Sequence, residues 1–136
     1  MLEALYEHQS RAGGYPLLKS DGARRWLEQL RPLLGSYAML YCAGEERAEA
    51  FLSLRVKTYP TYLDLKPRAS IGECYVEEAF RGQGVGRNLF KEATSWCAQK
   101  GLGELELQTT NGNTGAESFW EELGFEKELT QWKRNL

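Results

Sequence analysis

The chain has 136 residues and a mass of 15.5 kDa, which predicts one domain over residues 1–136. Apolar residues make up 42% and charged residues 26%, so the composition excludes a disordered chain. The net charge of −2 provides no broad basic surface for nucleic acid. No apolar run approaches the ~20 residues of a membrane span, and the first residues are not a secretory leader. We therefore expect a cytoplasmic protein that binds neither nucleic acid nor membranes.

The first half predicts two helices followed by three strands. Leu2, Leu5 and Tyr6 recur at helical spacing, and this pattern ends at Gly13-Gly14. Residues 20–22 offer caps for a second helix, which Pro32 should end or kink. The predicted strands cover residues 37–42, 50–57 and 71–76, and the first two form a hairpin.

The second half alternates more regularly between helix and strand. The predicted elements are a helix at 84–100, a strand at 104–109, a short helix after residue 113 and a last strand or hairpin at 125–133. Gly124 should stop the short helix. The element order predicts a single α+β domain.

The three cysteines, Cys42, Cys74 and Cys97, are far apart and have no C-x-x-C spacing. This argues against a zinc site or a redox pair, so we expect no metal and three buried thiols. The single histidine, His8, lies in a polar segment, where a surface position is favoured over a role as a base.

The segment from Tyr75 to Arg87 joins a strand to a helix through three glycines, Gly82, Gly84 and Gly86. Glycines let backbone N–H groups turn towards one point, and the helix directs its positive end there. The pattern predicts a pyrophosphate site, with positive charge added by Arg81 and Arg87. The spacing matches neither a Walker loop nor a dinucleotide fingerprint. Alternatively, the glycines only let the helix pack closely.

The motif Arg81-x-x-Gly84-x-Gly86, followed by Asn113-x-x-Ala116-x-x-Phe119-Trp120-x-x-Leu123-Gly124-Phe125, resembles the GCN5-related N-acetyltransferases (GNAT). The resemblance runs from about Leu2 to the C-terminus. It implies a mixed, largely antiparallel central sheet flanked by helices, with acetyl-CoA as the co-substrate and no metal. Family members open with a short strand, so either the start of this chain is truncated or its sheet lacks the first edge strand. An unpaired edge invites a partner, which makes a homodimer possible.

The resemblance also implies roles for individual residues. The pantetheine arm would bond to the strand backbone at Cys74 and Val76. Asn113 would contact the pantetheine or its neighbouring backbone, cap a helix, or do both. The pyrophosphate would be wrapped by the loop residues Arg81, Gly82, Gln83, Gly84, Val85 and Gly86, together with Arg87.

Residues 59–62 and 71–76 resemble the diamine (polyamine-type) branch of the family, in which two acids meet the substrate amine. Glu73 matches the second acid, whereas Gly72 stands where the first would be. A carboxylate could attract the ammonium and accept its proton, which gives Glu73 a catalytic role. It could instead be an exposed carboxylate paired with a Lys or Arg. Glu77 and Glu78 are expected to be solvated loop acids.

Trp120 stands where the family usually has a tyrosine that protonates the leaving thiolate. An indole N–H donates a hydrogen bond but is not an acid at neutral pH. Trp120 therefore either stabilises the sulfur by a hydrogen bond or belongs to the ordinary core.

These patterns predict transfer of an acetyl group from acetyl-CoA to a primary amine of a small cationic acceptor. Attack would be direct, in a ternary complex, because Cys74 and Cys97 have no histidine base nearby. One alternative is a CoA-binding sensor or assembly module with little or no catalysis. Another is an acetyltransferase for a peptide amine or an aminoglycoside. The aromatic segments at 59–62 and 131–132 could line the acceptor site or a dimer contact, although plain packing is slightly favoured.

Overall fold

A computed structural model describes all residues from 1 to 136. The helices are α1 (Leu2–Gly13), α2 (Gly22–Leu30), α3 (Val85–Gln99) and α4 (Thr114–Glu122), and the strands are β1 (Ala38–Ala43), β2 (Ala50–Lys57), β3 (Arg68–Val76) and β4 (Leu105–Leu107). Short 3-10 turns occupy Arg31–Leu33 and Glu78–Phe80. None of the helices has the length and apolar character needed to cross a membrane.

The four strands form one mixed sheet in the order β1-β2-β3-β4. The pairs β1–β2 and β2–β3 are antiparallel, whereas β4 runs parallel to β3 after the crossover through α3. In this order β1 forms one edge of the sheet and β4 the other. The predicted α+β class and the mixed, largely antiparallel sheet are confirmed.

Helices cover both faces of the sheet, which explains why β2 is buried continuously from Ala50 to Leu54. On one face, Phe51 packs against Leu2 and Leu5 of α1. On the other face, Leu52 belongs to the main core with side chains of α3 and α4. Each large apolar side chain removed from water contributes roughly 1.5–3 kcal/mol, so this strand anchors the helices on both sides.

A bulge in β3 interrupts its pairing with β2. Cys74 pairs with Leu52 and Ile71 pairs with Leu54, so β3 places one more residue in this interval than β2 does. Gly72 and Glu73 therefore share the position opposite Ser53. The extra residue lets Ile71 and Cys74 both face the α3 side, although they are three positions apart.

Several local predictions are confirmed at single residues. Asn113 caps α4, because its Oδ1 accepts a hydrogen bond from the N–H of Ala116 at 3.3 Å. Pro32 lies in the 3-10 turn that follows α2. Gly124 follows α4 with φ +89°, a conformation that suits glycine at a helix end.

Other predictions are wrong. Residues 125–133 form no strand: Phe125 packs beside Trp120, but Leu129 and Trp132 are exposed. The strand predicted at 104–109 is shorter, because only Leu105–Leu107 pairs with β3. Cys42 is exposed rather than buried, because it lies on the edge strand β1.

Candidate active site

A gap opens between β3 and β4. The two strands pair only from Ala69 to Ile71, whereas β3 continues to Val76 with no neighbour on that side. A cavity of about 740 Å³ occupies the gap and extends to the N-terminus of α3. Its size and its open strand edge can accommodate an extended ligand that bonds to the backbone.

All but two of the predicted site residues line this cavity. The lining ones are Cys74, Val76, Arg81, Gly82, Gly84, Val85, Gly86, Arg87, Asn113 and Trp120. Gln83 lies in the same loop but donates from Nε2 to the carbonyl of Ala79 at 2.9 Å. Glu73 lies beside the cavity on the α1 side of the sheet.

The glycine loop supplies a row of unbonded donors. None of the backbone N–H groups from Gly82 to Arg87 donates to a carbonyl in the surrounding turns, and the first turn of a helix has no internal acceptors. Gly82 and Gly84 have φ values of +74° and +82°, which a side chain would strain. This geometry and the positive end of α3 together create an anion-binding site.

Gly86 has a different role from the other two glycines. A Cβ atom there would lie 3.0 Å from Cζ of Phe119, whereas at Gly82 or Gly84 it would meet nothing within 4 Å. Close packing against Phe119 therefore explains why a glycine occupies position 86, and the positive φ explains the glycines at positions 82 and 84.

Both loop arginines are engaged by groups of the protein. Arg81 donates from Nε to the carbonyl of Val76 at 2.9 Å. Arg87 pairs with Glu122 through a 2.7 Å contact, and Glu122 also lines the cavity. The positive charge of Arg87 is thus partly offset by a carboxylate at the cavity mouth.

Glu73 is held by a buried hydroxyl. Ser53, which is fully buried on β2, donates to the Glu73 carboxylate at 2.5 Å and accepts from the Glu73 N–H at 3.1 Å. Burial and the charge of Glu73 raise the pKa of Tyr6 on α1. Glu73 is half-buried, so the alternative of an exposed carboxylate paired with a Lys or Arg is wrong. A Cβ at Gly72 would lie 3.1 Å from the Ser53 hydroxyl, which leaves little room for the missing first acid.

Trp120 is both a core residue and part of the cavity wall. It is 8% exposed and packs edge-to-face with Phe90, Phe119 and Phe125. The two predicted alternatives for this residue are therefore compatible.

Cys74 lines the cavity as a neutral thiol. Burial raises its pKa to about 12, so almost none of it is thiolate at neutral pH. Because the thiolate is the reactive form, this residue is not suited to carry an acyl group.

Sequence reasoning missed one whole wall of the cavity. Four residues of α1 line it: Leu5, His8, Gln9 and Ala12. Their spacing places them on one face of a helix, which is the signal that could have identified them. His8 is exposed, as expected, but the surface that it occupies is the cavity wall.

Outside the cavity, two further expectations are wrong. Glu77 is half-buried and pairs with Arg47 through both carboxylate oxygens, at 3.1 and 2.8 Å, so it is not a freely solvated loop acid. Trp132 is 90% exposed, so plain packing does not account for the segment at 131–132. In the segment at 59–62, Tyr62 is 84% exposed, whereas Tyr59 is half-buried and donates from its hydroxyl to Glu106 at 3.2 Å.

Comparison with known proteins identifies the family. The profile of the acetyltransferase (GNAT) family matches residues 2–125. A mycothiol acetyltransferase of Streptosporangium roseum is 32% identical over 110 residues, which cover 76% of this chain and 31% of that protein. A streptothricin acetyltransferase of Streptomyces lavendulae is 32% identical over 65 residues, covering 48% of this chain and 34% of that protein. The chain spans about a third of the length of the curated relatives it matches.

Solved structures share the fold. A mutant of the BH1408 protein from Bacillus halodurans has a TM-score of 0.80 at 18% identity, covering 99% of this chain and 88% of that one. An aminoglycoside 6'-N-acetyltransferase, in complex with the bisubstrate analogue CoA-S-monomethyl-acetylneamine, has a TM-score of 0.74 at 21% identity, covering 98% and 93%. The sheet, its gap and the family profile lead to one conclusion: the chain belongs to the GNAT family of N-acetyltransferases.

Proposed function

We propose that this protein transfers an acetyl group from acetyl-CoA to a primary amine of a small cationic acceptor. The observation that carries the proposal is the row of unbonded N–H groups from Gly82 to Arg87, which faces a cavity that continues along the open edge of β3. A phosphate anion satisfies such donors without any cationic side chain.

The cavity fits acetyl-CoA in both shape and chemistry. The glycine loop would hold the pyrophosphate, and the unpaired edge of β3 at Cys74 and Val76 would bond to the pantetheine amides as a partner strand does. We infer that Asn113 contributes from the opposite wall, beside its capping bond. Bound in this way, acetyl-CoA supplies an acetyl group activated as a thioester.

Glu73 is our candidate for the group that receives the acceptor. Its carboxylate attracts an ammonium ion and takes the proton, directly or through water. The freed amine nitrogen then forms the new N–C bond at the thioester carbonyl as the C–S bond breaks, and the second proton that this nitrogen releases reaches the leaving sulfur through water. Trp120 lies in the cavity wall, where its N–H can donate a hydrogen bond towards the sulfur.

The acceptor class has two candidates within this proposal. A small amine, as in the polyamine-type branch, is favoured by Glu73 together with Tyr6 on α1 and Tyr15 in the loop that follows α1. Aminoglycoside acceptors are the second candidate, supported by neighbours named as aminoglycoside N-acetyltransferases. We also propose a cytoplasmic homodimer, because β1 and β4 each leave one edge unpaired.

The proposal is tested by incubating the protein with acetyl-CoA and a panel of amines, with products identified by mass spectrometry. The panel contains putrescine, spermidine, lysine, an aminoglycoside and a short peptide. We expect acetylation of a small amine, and a loss of at least about 100-fold in kcat for Glu73→Gln, the range of a positioned base. Glu78→Gln is the matched control, because Glu78 is exposed outside the cavity.

Two outcomes would overturn the proposal. Binding of acetyl-CoA without any acetylated amine would favour the sensor or assembly module. Failure to bind acetyl-CoA would refute the assignment of the cavity itself.

A further inference from the structure

Two arginines of this protein are half-buried, and they differ in their surroundings. Arg68 pairs with the carboxylates of Glu104, Glu106 and Glu128. Arg55, on β2, donates no hydrogen bond and pairs with no carboxylate. A guanidinium withdrawn from water without an anion is unfavourable, so Arg55 is a group that lacks its partner.

Arg55 lies on the same side of the sheet as the group that holds Glu73. Ser53 and Arg55 are two positions apart on β2 and therefore share the face towards α1. Ser53 fixes the Glu73 carboxylate at 2.5 Å, and the neighbouring Gly72 lines the cavity. A negative and a positive group thus lie on the α1 face of the sheet, close to the cavity but outside its lining.

Tyr6, on α1, is affected by the charges of both Glu73 and Arg55. Burial and Glu73 raise the pKa of Tyr6, while Arg55 acts on it in the opposite direction. The ring of Tyr15, at 5.6 Å from that of Tyr6, closes the other side and is itself 43% exposed. Two neighbouring aromatic rings thus lie on the α1 side of the sheet, and the ring of Tyr15 is open to solvent.

We propose that the acceptor carries a carboxylate as well as an amine, and that Arg55 binds the carboxylate while Glu73 receives the ammonium. This inference rests on the proposed function and names its substrate class. The anchoring positions are separated by about 7 Å along β2, which favours an amine several bonds from the carboxylate. A basic amino acid acetylated on its side-chain amine fits this description and keeps the net positive charge of a cationic acceptor.

The test compares acceptors that differ only in the carboxylate: lysine against cadaverine, and ornithine against putrescine. We expect the wild-type protein to have a higher kcat/KM for the amino acid of at least one pair. In Arg55→Gln, that preference should fall about ten- to hundredfold, the effect of losing a hydrogen-bonded charge. The loss should appear for the amino acid and not for the diamine, and Arg55→Lys should restore part of it.

The controls separate this role from a structural one. Arg31→Gln removes an exposed arginine of the 3-10 turn and should leave the preference unchanged. If Arg55→Gln lowers kcat/KM equally for both members of a pair, Arg55 only supports the fold and the inference is wrong. Equal or better use of the diamines by the wild type also refutes it, while the proposed function stands. If acetyl-CoA is not bound or no amine is acetylated, both fail together.

Discussion

Replacing Gly84 with aspartate tests the anion-binding site most directly. Gly84 has φ +82°, and a Cβ atom there would meet nothing within 4 Å, so the side chain projects into open space at the start of α3. Asparagine is the matched control, because Asn and Asp have the same shape and both tolerate this backbone conformation better than other residues. The two variants therefore differ by a single negative charge beside the unbonded N–H groups.

The expected magnitude follows from Coulomb's law. Two unit charges at 4 Å repel by about 1 kcal/mol in water and about 4 kcal/mol near a protein surface. A value of about 2 kcal/mol for the open cavity corresponds to roughly 30-fold weaker binding of acetyl-CoA by Gly84→Asp than by Gly84→Asn. The difference should shrink as salt is raised, because exposed charges are screened.

Calorimetric titration with acetyl-CoA measures both affinities, and a thermal melt verifies that both variants fold. Equal dissociation constants for the two variants at low salt would refute the placement of the pyrophosphate in this loop. Equal weakening of both relative to the wild type would assign the effect to backbone strain, which costs about 1–2 kcal/mol.

Four further predictions concern the cavity wall. Glu122→Gln should tighten acetyl-CoA binding severalfold at low salt, because it removes a negative charge from the cavity mouth. Glu121→Gln, which lies outside the cavity, should leave the affinity unchanged. Equal dissociation constants for the two variants would contradict this prediction. Trp120→Ala should lower the free energy of unfolding by about 3–5 kcal/mol in urea titrations, because it leaves a cavity among three aromatic rings. A loss below about 1 kcal/mol would be incompatible with this packing. Mass spectrometry after iodoacetamide treatment at pH 8 should find Cys42 modified well before Cys74, whose pKa is raised to about 12. Because the pKa of Cys74 is higher in the folded state, the protonated thiol contributes fully to stability below pH 9, and this contribution is lost as the pH rises towards 12. The free energy of unfolding of the wild type should therefore fall more steeply between pH 9 and 12 than that of Cys74→Ala.

The features that sequence could predict are those determined locally. The cap at Asn113 and the helix start at Gly84 depend on residues within one turn, and both are found where the pattern indicates. The α+β class follows from the order of apolar segments and from the family motifs. The functional roles of the site residues remain predictions.

The features that sequence could not predict depend on partners distant in the chain. The bulge at Gly72 and Glu73 exists only relative to the register of β2, and the bond from Ser53 exists only once that register is set. The lack of a strand at residues 125–133 is a related case, because pairing with a distant edge decides whether an apolar segment becomes a strand, and this segment pairs with none.

The bulge also means that the opening of the sheet depends on the number of residues in β3 and not only on their identity. Deleting either Gly72 or Glu73 would make β3 and β2 equal in length across this interval. Every side chain on one side of the deletion would then exchange faces, and Ile71 and Cys74 could no longer both face α3. A change of length at this point should therefore disturb the cleft more than a substitution that keeps the number of residues, which makes a single codon deletion more damaging here than most point mutations.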